Sequence, residues 1–467
     1  MSAIETAAAI RSGEVSALEV TEAALQRAEA IGPSIGAFVT LTPERAFAQA
    51  EAIDSALRAG TAPSEREAPF LGVPCPIKDL DDVAGVPCKY GSLTYKDNVP
   101  DKDSDIARVF ARAGTVMIGK TNTPEFGLPC YTEPDVAPPA ATPWDPTRSA
   151  GGSSGGAAAA VAAGIVPIAQ GSDGGGSIRI PASSCGVVGL KPSRGLVSPG
   201  GANPGPGLAC YGVLTRDVHD TAAALDFMAG PAYGDLYQAP RPGIGYLAAS
   251  KIPVSGLRIG VLSEPVVSDA QPEAVAYEAL AEAAKWLEEL GNHIEKAPKP
   301  FDVEEWNAFK AVWAVGALGV PVREEAEIEL RPLTRWLREL GRGYTALELS
   351  EAWLKVQELG RRTQLLWKDF DIILTPTLAQ SPAKIGQLRN DKYPSKDFDD
   401  QCAFTPWTSM YNISGLPAIS LPLHTAVVDG VELPIGVQLG AGYGQEGKLL
   451  SVAAQLERVH PWKMFWE

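Results

Sequence analysis

Short apolar runs alternate with helical stretches along much of this chain. Each run is too short for a helix and is bounded by glycine, proline or polar residues, which is typical of buried strands. The runs span residues 74–78, 116–118, 165–169, 257–262, 372–374, 418–421 and 435–439. Because helical stretches separate them, the pattern predicts an α/β fold with a large mixed β-sheet covered by helices on both faces.

Residues 1–60 predict N-terminal helices. Ser16 and Glu19 have the spacing of a capping box at the start of an amphipathic stretch. Thr42 and Pro43 supply a cap residue and a first-turn proline for the next helix.

Residues 270–370 form a charged segment that is helical in pattern and rich in tryptophan. Tryptophans in such a segment usually pack helices against one another. Trp306, Phe309 and Trp313 have helical spacing, and we interpret them as an aromatic wall that faces a substrate. The pattern therefore predicts a helix-rich insertion on the substrate side.

The composition is that of a globular protein with an acidic surface. The chain has 467 residues, of which 45% are hydrophobic and 21% charged, and its formal net charge is −16. This charge disfavours nucleic-acid partners, because binding to phosphates depends on basic surface. The apolar runs are too short to span a membrane. We therefore expect no nucleic-acid partner and no membrane partner.

The cysteines predict a reducing compartment. The chain has 6 cysteines, which are scattered without a C-x-x-C pair. Its first residues lack the basic and apolar regions of a signal peptide. We interpret the cysteines as free thiols and expect the protein to be cytoplasmic.

Two glycine-rich serine clusters carry the candidate chemistry. They occupy residues 151–156 and 171–177, and an alanine-rich stretch joins them. Glycine lets backbone N–H groups approach a ligand closely. Such N–H groups beside a serine suit acyl transfer, because the hydroxyl can attack a carbonyl while they stabilise the oxyanion.

Several common uses of such serines are disfavoured. A Ser-His-Asp hydrolase needs a histidine base, and all four histidines lie downstream with no local reason to approach the clusters. The histidines are His219, His293, His424 and His460. Neither cluster has a G-x-S-x-G pattern or the G-K-[ST] of a phosphate-binding loop. Metal-ligand spacings are absent too, so we expect no metal and no other cofactor.

A lysine kept neutral by burial is the remaining candidate base. Burial disfavours the charged ammonium and lowers the pKa of a lysine, which can then accept a proton at neutral pH. Lys78, Lys120 and Lys191 all lie in apolar or glycine-rich surroundings. Composition does not choose among the three.

Motifs distributed over nearly the whole chain resemble those of the amidase signature family. They occupy residues 72–79, 119–125, 151–156, 173–181, 186–192, 412–422 and 434–438. Their order and spacing match the family, and the chain is most similar to its bacterial hydrolases of small amides. The resemblance implies the amidase signature fold in a single domain over residues 1–467, with the signature core at residues 70–215.

The resemblance also implies a set of catalytic residues. By motif, Ser177 is the nucleophile, Ser153 is a serine in a cis peptide bond, and Lys78 is the base. Lys78 is expected to take a proton from Ser153, which takes one from Ser177. Backbone N–H groups of the loop before the nucleophile are expected to hold the oxyanion. The loop residues are Gly174, Gly175 and Gly176.

Neighbouring residues are predicted to support this set. Cys130 lies near a segment that lines the site in the family, and we expect it to contact the substrate together with Trp306 and Trp313. Asp173 and Arg179 flank the nucleophile and are expected to form an ion pair.

Two positions depart from the common family pattern. Gly174 replaces a bulkier residue, and Ser172 stands where threonine is frequent. We expect both changes to leave the triad intact, and we interpret Ser172 as structural.

These inferences predict a hydrolase that cleaves the C–N bond of small amides through an acyl-enzyme. Aryl anilides and carbamates, including urethanes, react through a similar tetrahedral intermediate and are equally compatible. One alternative is the glutaminase subunit of a tRNA-dependent amidotransferase, which shares the motifs, and another is a non-catalytic binding protein. The acidic charge disfavours the glutaminase. The expected partner is a small-molecule amide or carbamate, and a homodimer is compatible with the sequence.

Overall fold

The computed structural model describes residues 1–200 and 207–466. These residues form one large β-sheet, two smaller sheets and the helices packed around them. The strands are β1 (Phe38–Leu41), β2 (Ile77–Lys78), β3 (Gly119–Thr121), β4 (Ala141–Thr142), β5 (Asp145–Ser149), β6 (Ile168–Asp173), β7 (Val188–Lys191), β8 (Cys210–Thr215), β9 (Arg258–Val261), β10 (His293–Lys296), β11 (Ile372–Pro376), β12 (Ala418–Val428) and β13 (Val431–Ala441). The α-helices are α1 (Ala3–Ser12), α2 (Ala17–Ile31), α3 (Pro43–Arg58), α4 (Asp105–Arg112), α5 (Gly155–Ala162), α6 (Arg179–Cys185), α7 (Val218–Met228), α8 (Tyr246–Ser250), α9 (Ala274–Glu289), α10 (Val303–Leu318), α11 (Pro332–Gly343), α12 (Ala346–Leu366), α13 (Pro394–Phe404), α14 (Ser409–Ser414) and α15 (Glu446–Val459).

The large sheet is mixed, and the predicted fold class is confirmed. Its strand order is β10-β9-β11-β13-β12-β7-β8-β6. β10, β9 and β11 pair in parallel, and the other neighbours pair antiparallel. β2 belongs to a smaller sheet of order β1-β3-β2. The two sheets meet where the backbone N of Gln170 in β6 donates to the carbonyl of Pro76 (3.2 Å).

The predicted N-terminal helices are confirmed. α2 begins after Ser16, whose side chain and that of Glu19 form the expected reciprocal capping box. α3 begins at Pro43, but the Thr42 side chain makes no capping hydrogen bond, so the proline alone is the start signal here. Among the helices of the described ranges, none is long and apolar enough to cross a membrane.

Three strands beside the serine clusters differ from the apolar runs that predict them. β2 consists only of the last two residues of its run, β3 begins after the run at residues 116–118, and β6 extends beyond its run to Asp173. The strand ends carry polar side chains that are fully buried, among them Lys120 and Asp173. A search for apolar runs misses these positions, because their burial is sustained by polar contacts of the site.

α5, the alanine-rich helix between the two clusters, is buried on every side. Its small residues let the backbone of neighbouring segments come close. A Cβ atom at Gly156 would lie 2.3 Å from the backbone N of Asn122 and 2.4 Å from the carbonyl O of Ala37. Glycine is therefore required at this position, and the close contact fixes the start of the helix, where Ser153 and Ser154 lie.

The segment at residues 270–370 contains α9 to α12 and also β10, a strand that the pattern does not predict. Its tryptophans have different surroundings. Trp367 is buried, Trp286 stacks on His460 with ring centroids 3.9 Å apart, and Trp353 is 38% exposed. These three tryptophans therefore contribute to packing or to the surface, whereas Trp306 and Trp313 lie on α10.

Candidate active site

The side chains of Lys78 and Ser153 meet in the buried interior between the two sheets. Lys78 is the last residue of β2, and its backbone N donates to Gln170 Oε1 of β6 (2.9 Å). Its Nζ is hydrogen-bonded to Ser153 Oγ at 2.7 Å and to Ser172 Oγ at 3.2 Å. The peptide bond between Gly152 and Ser153 is cis, as the family resemblance implies.

The surroundings of Lys78 favour its neutral form. The side chain is fully buried, and this burial lowers the pKa of Lys78 from 10.5 to about 7. The nearby carboxylates of Asp81 and Asp173 act in the opposite direction and raise it. Because loss of hydration dominates, a substantial fraction of Lys78 is an uncharged amine at neutral pH.

The other two candidate lysines are occupied elsewhere. Lys120 Nζ donates to the carbonyl of Asp81 (2.6 Å) and lies 3.5 Å from the carboxylate of Asp79. Lys191 Nζ donates to the carbonyl of Pro192 (2.7 Å), and burial lowers its pKa. Within the described ranges, Lys78 is the one lysine of the three that is hydrogen-bonded to a serine of the clusters.

Ser177 lies in the turn that follows β6, and its side chain reaches a pocket. The residue is 7% exposed. Its carbonyl accepts a hydrogen bond from the backbone N of Ser154 (3.1 Å), which ties the two clusters together. In residues 1–200 and 207–466, the N–H groups of Gly174, Gly175, Gly176 and Ser177 donate to no protein group. They are therefore free to bind an oxygen atom of a ligand.

Gly176 has a backbone conformation that other residues rarely adopt. Its φ is +141°, and a Cβ atom there would lie 2.5 Å from Ile180 Cδ1 and 2.6 Å from Thr408 Oγ1. Thr408 Oγ1 also donates to the carbonyl of Gly175 (2.7 Å). The loop is thus held from one side, and its N–H groups keep a fixed direction.

A buried ion pair braces this loop, and the predicted pairing of Asp173 with Arg179 is confirmed. The carboxylate of Asp173 accepts from Arg179 Nε (2.9 Å) and Nη2 (2.8 Å) and from Asn412 Nδ2 (2.9 Å). Burial opposes ionisation of Asp173, but the guanidinium and these hydrogen bonds outweigh it and lower the pKa to about 2. Arg179 Nη1 also donates to Gln438 Oε1 (2.7 Å). The two ends of the loop at residues 173–179 are therefore held together by a buried ion pair.

The pocket beside Ser177 is mainly apolar and aromatic. It contains about 480 Å³ of empty space, part of which is open to solvent. Trp306, Phe309 and Trp313 of α10 form one wall, and the ring centroids of successive members are 5.3 Å apart. Among the described residues, no charged side chain lines the pocket. The other lining residues are Leu128, Pro129, Cys130, Gly175, Ile180, Val267, Phe398, Gln401, Cys402, Thr405 and Ser409.

The aromatic wall packs directly on the glycine loop. A Cβ atom at Gly174 would lie 3.3 Å from the ring of Trp313, and one at Gly175 would lie 3.5 Å from Phe309 Cζ. Gly174, which departs from the common family pattern, therefore leaves room for the Trp313 ring. The indole Nε1 of Trp306 donates to Ser409 Oγ (2.9 Å), which fixes the orientation of the ring.

Cys130 lines the pocket as a thiol. Burial raises the pKa of Cys130 well above its usual value, so its thiolate is scarce at neutral pH. A contact with the substrate is therefore compatible with the geometry, and a nucleophilic role is not.

The structure adds residues that the motifs do not single out. Ser172, which the sequence suggests is only structural, is hydrogen-bonded to Lys78 and lies in the site. Gln401 lines the pocket from α13, and no sequence pattern points to it. The histidines do not line the pocket, and His424 pairs with Glu282 (2.6 Å) instead. This position of the histidines agrees with the sequence analysis, which disfavours a histidine base.

Comparison with known proteins identifies the family. The amidase family model matches residues 19–450. The putative amidase AmiC of Mycobacterium tuberculosis is 37% identical over 477 residues, covering 99% of this chain and 95% of that protein. An acylamidase of Rhodococcus erythropolis is 34% identical over 469 residues, covering 99% of this chain and 96% of that protein. A solved structure of 6-aminohexanoate cyclic dimer hydrolase complexed with substrate has a TM-score of 0.88 and 31% identity, covering 99% of this chain and 97% of that one.

The chain belongs to the amidase family. More particularly, it is an amidase signature enzyme, a hydrolase that acts on amides. The family, the fold and the enzyme class predicted from the sequence are therefore confirmed.

Proposed function

We propose that this protein hydrolyses small neutral amides through an acyl-enzyme on Ser177. Neutral Lys78 takes the proton of Ser153, and Ser153 takes the proton of Ser177 as its Oγ attacks the carbonyl carbon. Ser153 then gives its proton to the leaving nitrogen and takes one back from the Lys78 ammonium as the C–N bond breaks, so that Lys78 is neutral again. Water attacks the resulting ester by the same proton route and releases the acid and free Ser177.

The hydrogen bond between Lys78 Nζ and Ser153 Oγ carries this proposal. It joins a fully buried amine, with a pKa lowered to about 7, to a serine of the first cluster at 2.7 Å. A base whose pKa lies near the working pH combines a useful unprotonated fraction with useful basicity. The free N–H groups of Gly174, Gly175, Gly176 and Ser177 support the second half of the proposal, because an oxyanion needs preorganised donors.

The pocket supports an acyl group that is neutral and at least partly flat. Its lining side chains are uncharged, and three stacked aromatic rings form one wall. Aromatic faces favour planar groups through offset stacking. Carboxylic amides, aryl anilides and carbamates all fit this description. Glutamine fits it less well, because its α-ammonium and α-carboxylate groups would lose hydration without gaining a charged partner.

We also propose a cellular compartment and a partner for the enzyme. All six cysteines are free in the described part of the chain, which supports the reducing cytoplasm as the compartment. The partner is a small-molecule amide or carbamate, and a homodimer, with which the sequence is compatible, is to be tested by measuring the mass in solution.

A substrate panel tests the proposed function. Purified protein is expected to turn over benzoyl or phenylacetyl amides, the matching anilides or aryl carbamates at a higher kcat/KM than glutamine. Acetamide serves as the matched small substrate, because it has the reacting carbonyl without a group to fill the pocket. Preference for glutamine over every neutral amide would favour the glutaminase alternative, and no turnover of any member would contradict a stand-alone hydrolase.

The activity is expected to depend on pH through Lys78. Because the pKa of Lys78 is lowered to about 7, kcat/KM for a neutral amide should fall as the pH drops below that value and level off above it. The loss on acidification follows from protonation, since the ammonium cannot accept a proton from Ser153. The measurement is a pH profile of kcat/KM with a substrate that does not itself titrate. A profile that keeps rising up to the pKa of an ordinary lysine would contradict the assignment.

A further inference from the structure

Asp397 is a buried carboxylate that joins three segments of the chain beside the pocket. It lies in α13 and is 1% exposed. Its Oδ2 accepts from the hydroxyl of Tyr131 (2.7 Å) and from the backbone N of Asn390 (2.9 Å). Its Oδ1 accepts from Gln401 Nε2 (2.6 Å), one turn further along the helix. Donors are therefore directed at both oxygens.

Gln401 extends this connection to the pocket wall. Its Oε1 accepts from the backbone N of Cys130 (2.8 Å), and both Gln401 and Cys130 line the pocket that contains Ser177. The two ends of the Gln401 amide thus have different partners. Its orientation is fixed, because a flipped amide would place its NH₂ group against the N–H of Cys130.

The same segment supports the backbone that precedes Ser153. A Cβ atom at Gly152 would lie 2.8 Å from the backbone N of Tyr131 and 2.9 Å from the carbonyl C of Cys130. The two backbones are thus in direct contact. The hydroxyl of Thr132 donates to the carbonyl of Gly151 (2.8 Å). A displacement of residues 130–132 would therefore also shift Ser153, which is hydrogen-bonded to Lys78.

We propose that Asp397 is a positioning residue that sets the acyl selectivity of the enzyme. The role rests on the proposed function of Ser177 and Ser153. Through Tyr131 and Gln401, Asp397 holds residues 130–132, of which Cys130 forms part of the pocket wall, and so supports the backbone beside Ser153. Disruption of the carboxylate moves this wall, and substrates whose acyl group reaches the wall lose the most.

The variant Asp397→Asn tests this proposal with almost no change of volume. Asparagine has an NH₂ group in place of one oxygen, so a donor meets a donor on one side or the other. We expect kcat/KM for a benzoyl amide to fall about tenfold, because small displacements of positioning groups have large kinetic effects. For an acetyl amide with the same leaving group, we expect a clearly smaller loss.

A second variant exchanges donor and acceptor without changing the net charge. In Asp397→Asn combined with Gln401→Glu, the introduced carboxylate can accept from both the introduced amide and the backbone N of Cys130. The remaining oxygen at position 397 can still accept from Tyr131 and Asn390. We expect this double variant to recover part of the preference for the benzoyl amide, because both oxygens of the introduced carboxylate have donors although a charge now lines the pocket. A purely structural role for Asp397 would instead lower the thermal stability of Asp397→Asn and leave its benzoyl-to-acetyl ratio unchanged.

Asp54→Asn is the matched control. Asp54 is also a buried carboxylate, and it accepts from the backbone N of Ala17 (2.8 Å) and Leu18 (3.1 Å) at the start of α2. It does not line the pocket. We expect Asp54→Asn to lower the thermal stability and to leave the benzoyl-to-acetyl ratio of the folded protein unchanged.

The outcomes separate this proposal from the function on which it rests. Wild-type kinetics for both substrates in Asp397→Asn would overturn the positioning role. Equal losses for both substrates, without recovery in the double variant, would overturn it as well. If an alkyl fluorophosphonate labels Ser177 of the wild type in these cases, the proposed hydrolase function stands. If Ser177 is not labelled and no amide is turned over, the hydrolase function itself is contradicted.

Discussion

Ser177→Ala is expected to abolish both amide hydrolysis and labelling by an alkyl fluorophosphonate. Alanine leaves the loop and the pocket in place but removes the oxygen that forms the acyl-enzyme. Loss of a serine nucleophile costs on the order of 10⁶-fold in kcat in other serine hydrolases. The measurements are steady-state turnover of the preferred substrate and mass spectrometry of the protein after reaction with the reagent.

Ser184→Ala is the matched control for this variant. Ser184 is buried in α6, and its hydroxyl has no hydrogen-bond partner in the described part of the chain. Removing it should leave turnover and labelling unchanged. Undiminished labelling of Ser177→Ala would show that another residue is the nucleophile. Absence of labelling in a folded wild type would instead favour the non-catalytic binding protein.

Lys78→Met is expected to lower kcat/KM by about three orders of magnitude, in the range that a general base contributes. Methionine is unbranched and of similar length, so it fills the buried site while removing the amine. With no base, neither Ser153 nor Ser177 can lose its proton as the carbonyl is attacked. The measurement is kcat/KM for a neutral amide, together with a thermal melt to establish that the variant is folded.

Lys191→Met is the matched control, because it shows what the loss of any buried lysine does to the activity. Lys191 is equally buried, and its pKa is also lowered, but its Nζ donates to a backbone carbonyl. We expect the folded variant to keep most of its activity and its pH profile. Retained activity in Lys78→Met together with its loss in Lys191→Met would reassign the base to Lys191.

Much of the fold follows from the local pattern of the sequence. The capping box at Ser16 and the first-turn proline at Pro43 identify α2 and α3, because these signals act within a few residues. β9, β11, β12 and β13 of the large sheet contain predicted apolar runs, because their side chains enter the core, whereas β7, β8 and β10 match none of the runs. The pattern is misleading at β2, β3 and β6, where buried polar side chains such as Lys78 and Gln170 belong to the strands.

Only those residues of the candidate site that lie in motifs can be predicted from the sequence. The resemblance points to Lys78 and Ser153, whose side chains the structure places within hydrogen-bond distance. Ser172 lies within the second cluster, so its place beside Lys78 depends on the pairing of β6 with neighbouring strands. Asp397 and Gln401 lie outside every motif. Their contacts with residues 130–131 span more than half of the chain, and no local pattern encodes such a distance.

The ionisation of Lys78 tests the central claim most directly. NMR of the folded protein labelled with ¹³C at the lysine Cε atoms can follow this side chain through a pH titration, and Lys78→Met assigns its signal. The account predicts a titration midpoint near 7, the value to which burial lowers the pKa. A Lys78 that stays protonated up to the pH at which the exposed lysines titrate would contradict the account.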